Sequence, residues 1–166
     1  MALALLSNRI RATAPETFRF FAQEGVSIRV ISGDNPVTVS EVARRAGIAG
    51  AERYIDASTL KTEGDFARAA RECTVFGRVT PDNKKKLIRA MKKEGHTVAM
   101  TGDGVNDVLA LREADCGIAM ASGSQAASQV AQLVLLQSDF AAMRGVVGEG
   151  RRVINNIQRA SALYLV

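Results

Sequence analysis

Short apolar runs punctuate this chain, and the stretches between them are helical in pattern, opened by proline and closed by glycine. The runs "ALALLS", "SIRVIS", "TVFGRV", "TVAMT", "CGIAMA" and "LVLL" are four to six residues long and carry no strict polar alternation. Strands buried on both faces read in this way. The spacers have helix punctuation. "APETFRFFAQEG" has Pro15 early and Gly25 past its end. "PVTVSEVARRAG" follows Asn35, a capping residue, and stops at Gly47. Thr80 and Pro81 open a lysine-rich helix that Gly95 ends, and "VLALREA" and "SQAASQVAQ" are shorter helices. Residues 49–72 fit neither pattern cleanly. Residues 140–166 look helical but weakened at Gly148 and Gly150. Alternating strands and helices predict an α/β fold, a doubly wound and mostly parallel sheet with helices on both faces. Ligands bind such sheets outside the carboxyl ends of the strands.

The chain has 166 residues, enough for one domain with a proper core. Its net charge of +5 raises nucleic acid as a partner. Aromatic residues are only 5%, however, and the lysines gather in one helix, "DNKKKLIRAMKKEG". A solvated helix face accounts for them, and no nucleic-acid partner is expected. Cys73 and Cys116 have no metal-ligand spacing and read as buried, reduced thiols. No run approaches the roughly 20 apolar residues that span a bilayer.

Chemistry concentrates after two of the strands. In "TGDGVND", Gly102 and Gly104 allow close backbone approach to a ligand. Asp103 and Asp107 are four apart and can meet around one cation if the turn is helical. Magnesium takes one or two carboxylates, with water and phosphate oxygens for the rest. The plainer account is a glycine turn with Asp107 as a helix cap. "SGD" offers the Ser32 hydroxyl and the Gly33 N–H, both phosphate-binding groups. Lys84 falls in the first turn of its helix, where a cation opposes the helix dipole unless it faces an anion. Taken alone it reads as solvated, beside Lys85 and Lys86. No Ser/His/Asp or Cys/His set is readable, and His96 reads as a surface or core residue.

In order along the chain, these segments resemble the phosphorylation domain of P-type cation-transporting ATPases, in the haloacid-dehalogenase superfamily. "NRIRATAPETFRFFAQEGVSIRVISGDNPVTVSEVARRAGI" is similar to the stretch around the family's TGD motif. "GRVTPDNKKKLI" is similar to the segment with its invariant lysine, and "MTGDGVNDVLALREADCGIAM" to its TGDGVNDxPAL hinge motif. "GEGRRVINNIQRASALYLV" resembles the run into the fifth membrane helix. The resemblance implies a Rossmann-like sheet of haloacid-dehalogenase type. It makes Asp103 the magnesium ligand, with Asp107 and Asn106 supporting metal and phosphate. Lys84 would contact the aspartyl phosphate, and Ser32 with Gly33 would hold its oxygens. Asp34 would face the nucleotide and Arg78 would lie near it. It implies magnesium and ATP, a transported cation closest to the calcium-type pumps, and a membrane-bound parent with this domain on the cytoplasmic side.

Departures are also visible. Val108, Leu109, Asn8 and Ser32 replace commoner family residues. No aspartate is followed by Lys-Thr-Gly, so the family's D-K-T-G-T nucleophile is not in this sequence. Nor is the D-x-D-x-T of soluble phosphatases in the superfamily. The expectation is therefore an incomplete sheet that lacks the strand with the nucleophile. Residues 1–150 would be the carboxyl-terminal part of the phosphorylation domain, and residues 151–166 a helix leading towards the membrane. Such a piece would be soluble, inactive alone, and left with an open strand edge. A stand-alone regulator or a soluble phosphatase are the alternatives.

Overall fold

A computed structural model describes residues 10–164. The expected strand at residues 2–7, and Asn8, lie outside the described residues. Seven helices and six strands alternate through the described chain: α1 Ala14–Gln23, β1 Val30–Ile31, α2 Pro36–Arg45, β2 Tyr54–Asp56, α3 Glu63–Glu72, β3 Val75–Gly77, α4 Pro81–Lys93, β4 Ala99–Gly102, α5 Val108–Glu113, β5 Cys116–Met120, α6 Gln125–Val130, β6 Leu133–Leu135 and α7 Met143–Tyr164. Short 3-10 turns occupy Ala57–Thr59, Val105–Asp107 and Phe140–Ala142.

The strands form two parallel sheets of three, in the orders β1-β3-β2 and β4-β5-β6. Val30 pairs with Val75 and Ile31 with Phe76, while Gly102 pairs with Ala119. Among the described residues β1 and β4 are thus both edges. Successive residues of a strand face opposite sides. Val75 accordingly joins Val39, Ala43 and Ile48 of the α2 side, and Phe76 joins α3 and α4 on the other. In the second sheet Ile118 packs with Phe21 and Met143 from α1 and α7, and Ala119 faces the opposite layer. That layer is one cluster running under both sheets, from Phe66 and Leu87 to Leu111 and Val134. The doubly wound expectation holds, and the two half-sheets share one helical layer.

The undecided stretch resolves into β2 and α3. Thr62 and Asp65 form a capping box ahead of α3, with the Thr62 hydroxyl accepting from Asp65 N–H and Asp65 accepting from Thr62 N–H. Phe66, Ala69 and Ala70 then bury one face. Helix α7 runs unbroken through Gly148 and Gly150. It is pinned to α1 by Arg144–Glu16 and Arg151–Glu24 ion pairs, and its residues 148–163 are exposed. No helix among the described residues is long and apolar enough to cross a membrane.

Candidate functional site

The loop after β1 is built by its neighbour β3. Ser32 N–H donates to the Phe76 carbonyl at 2.9 Å. Arg78 and Val79 then donate their N–H groups to the carbonyls of Asp34 and Ser32, at 2.8 and 3.0 Å. Arg78 reaches this position with φ +50°, a left-handed conformation uncommon outside glycine. Gly77 packs against the start of α2, where a Cβ would lie 2.6 Å from Pro36 Cβ. Asn35 Oδ1 accepts from Val37 N–H at 3.0 Å, and Pro36 occupies the first turn as its fixed φ favours. The Ser32 hydroxyl accepts from Asp34 N–H at 3.2 Å and donates to Asp34 Oδ2 at 3.1 Å.

The loop after β4 folds around Asp107. Its Oδ2 accepts the N–H groups of Asp103 and Gly104, at 3.2 and 3.1 Å. Its Oδ1 accepts from Lys84 Nζ at 2.6 Å. Gly102 is required here, because a Cβ would lie 2.5 Å from Asp107 Cβ. The structure corrects the reading of Lys84 as a solvated lysine: its side chain is 14% exposed and that of Asp107 9%. Both oxygens of Asp107 accept hydrogen bonds from within the protein. Thr80 caps α4 by accepting from Asn83 N–H, so Lys84 stands in the first turn, and Asp107 is the anion that offsets the dipole there.

Ser32, Gly33, Lys84, Asp103 and Asp107 line one cleft of about 340 Å³ between the carboxyl ends of β1 and β4. Ile31, Met100, Thr101, Gly102 and Met120 complete its walls. Asp34, Asn106 and Arg78 are exposed and do not line it. Arg78 instead pairs with Asp56 at 2.8 Å. The Ser58 hydroxyl and amide, and then Arg78, hold the Asp56 carboxyl below its usual range. His96 is exposed. Both cysteines are free but only half-buried, less deep than expected, and burial foremost raises the Cys73 thiol.

The donor set fits magnesium as this ion is usually bound. Asp103 is exposed, and its carboxylate has no hydrogen bond or ion pair among the described residues. No group of three or more His, Cys, Asp or Glu side chains converges among them. One free carboxylate beside phosphate-binding groups suits a cation that keeps waters and phosphate oxygens, and not an all-protein cage. Thr101 and Met120 were not legible as wall residues, since neither residue type announces chemistry.

The chain is similar to known proteins along most of its length. The haloacid dehalogenase-like hydrolases match residues 2–115. The chain is 53% identical over 165 residues to a calcium-transporting ATPase, CtpE, of Mycolicibacterium smegmatis, covering 99% of this chain and 21% of that protein. It is 50% identical to a probable cation-transporting ATPase of Streptococcus pneumoniae, again covering 99% of this chain and 21% of the relative. The chain therefore spans about a fifth of the curated relatives it matches. Among solved structures, the catalytic domain of a CPx-ATPase is 25% identical with a TM-score of 0.62, over 80% of this chain and 44% of that one. A zinc-transporting ATPase shares the fold with a TM-score of 0.71 at 23% identity, over 92% of this chain and 21% of that one.

Proposed function

We propose, from the premise that this chain belongs to the haloacid dehalogenase-like hydrolases, that it forms part of the phosphorylation domain of a P-type ATPase. The whole protein would transfer the γ-phosphoryl group of ATP to an aspartate, hydrolyse the acyl phosphate, and drive a cation across a membrane. Calcium is the proposed ion, in line with the relatives named as calcium-transporting. Residues 1–150 would belong to the phosphorylation domain on the cytoplasmic side, and residues 151–166 would lead towards the membrane. One observation carries the reading. Ser32, Lys84 and Asp103 come from three distant segments and line a single cleft at the carboxyl ends of β1 and β4.

Each residue has a role that its setting supports. The Ser32 hydroxyl and Gly33 N–H donate to phosphoryl oxygens. Lys84, held by Asp107, places a cation where negative charge gathers during transfer. Asp103 offers a free carboxylate to magnesium, which when bound neutralises phosphoryl charge. Asp34 and Asn106 border the loops on the solvent side, where nucleotide would enter. Arg78 acts through its backbone, which braces the Ser32–Asp34 turn. The nucleophile would arrive on a strand seated between β1 and β4, and the present chain alone would catalyse neither step.

Amide NMR tests the half-site directly. Magnesium with beryllium fluoride is expected to shift Ser32–Asp34, Lys84 and Gly102–Asp107. Shifts elsewhere only would remove this reading of the cleft. For the whole protein, γ-labelled ATP should leave label on an aspartate in a calcium-dependent way. Asp103→Asn should lower that labelling by a factor of a hundred or more, on the order of one lost electrostatic partner.

A further inference from the structure

Among the described residues the Asp103 carboxylate has no hydrogen-bond or ion-pair partner, so it is the backbone there that sets its direction. That backbone is gripped from two sides. Its N–H donates to Asp107 Oδ2 at 3.2 Å, and its carbonyl accepts the Ser124 N–H at 2.6 Å. The second grip comes from the turn between β5 and α6, residues 121–124. This turn approaches so closely that a Cβ on Gly123 would overlap the Asp103 carbonyl oxygen and lie 2.9 Å from its Cα. The turn is itself anchored. Gly123 N–H donates to the Met120 carbonyl at 2.9 Å, Ser122 N–H to Ser138 Oγ at 2.8 Å, and Ala121 N–H to the Leu135 carbonyl at 3.1 Å. Ser124 also caps α6, its Oγ accepting from Ala126 N–H at 3.2 Å.

We infer that Gly123 and the Ser124 amide are positioning groups for the divalent-cation site at Asp103, an inference that rests on the reading of Asp103 as the metal ligand. A cation held by one carboxylate has little else in the protein to correct a misplaced oxygen. Groups behind a ligand commonly set metal affinity by 10- to 100-fold, on the order of what a lost hydrogen bond to the ligand's own residue should do here. The contact is through backbone, so the Ser124 side chain is not what matters for it.

Ser124 has φ −68°, a value proline adopts without strain. Ser124→Pro therefore deletes the N–H that holds Asp103 while keeping the local backbone. Ser124→Ala is its control, since both variants lose the hydroxyl cap and only one loses the N–H. The probe is manganese added to this chain, read as paramagnetic broadening of the amides around Asp103. Ser124→Ala should match the parent chain. Ser124→Pro, and independently Gly123→Ala, should need about tenfold more manganese for half-maximal broadening. Thermal midpoints taken alongside separate this effect from loss of the fold, and Gly123→Ala carries the test if the proline variant does not fold. Equal affinity in folded Ser124→Pro and Ser124→Ala would overturn the inference and leave Asp103 as the ligand. If the parent chain shows no broadening centred on Asp103, the cation reading fails first and this inference with it.

Discussion

At the scale of single residues, the Lys84–Asp107 pair organises the cleft. It joins α4 to the loop after β4 across 23 residues of sequence, and both partners are largely withdrawn from water. Breaking such a pair from one side leaves a charge uncompensated. Lys84→Ala should cost on the order of 3 kcal/mol. Asp107→Ala should cost more, because it strands Lys84 and the amides of Asp103 and Gly104 together. Urea unfolding of both variants checks this ordering. Midpoints no lower than those of an exposed substitution such as Lys86→Ala would mean the pair contributes nothing to stability. The sequence made Asp103, Ser32 and Gly33 legible because glycine and acid after an apolar run are local signals. The partnership of Lys84 with Asp107 has no local signal, since its partner arrives only through tertiary packing.

At the scale of elements, caps were the most readable feature. Asn35 and Thr80 act as the sequence suggests, and a T-x-x-D signal stood unread at Thr62–Asp65. Strands were harder, because β1 has two residues and β2, β3 and β6 three each. Runs that short carry almost no periodicity. Carboxylates bind several elements together. Val98 N–H, and then Lys92, hold the Asp115 carboxyl below its usual range, at the entry to β4. The amide and hydroxyl of Thr62, and then the Lys61 amide, do the same for Asp65 in the capping box. A depressed folded pKa gives stability that is present above the unfolded value, about 3.9 for aspartate, and lost as pH falls through the folded one. The urea midpoint should therefore drop between pH 5 and about pH 3. Asp115→Asn and Asp65→Asn should each flatten that drop. A parent midpoint that holds steady through this range would contradict the assignment.

At the scale of the whole molecule, two parallel half-sheets are carried on one continuous helical layer. Val30 and Ser32 donate towards β3, so Ile31 between them presents its N–H to the other side of β1. Among the described residues β1 and β4 are open parallel edges, and such edges invite pairing with another chain. The chain should self-associate as concentration rises, with the β1 and β4 amides gaining protection from hydrogen exchange as it does. Sedimentation that shows a monomer from micromolar to millimolar concentration would rule this out.

Apolar runs, glycine stops and proline starts were enough to determine a doubly wound α/β chain, and the order of its motifs was enough to determine its family. Those signals are local, arising from backbone restriction and from which side chains leave water. Three features were decided only in three dimensions: the split of the strands into two sheets, the capture of Asp107 by Lys84, and the grip of the 121–124 turn on Asp103. Each depends on contacts between segments far apart in sequence. Their energies come from desolvation and close backbone approach, which no stretch of sequence carries until the fold has brought the partners together.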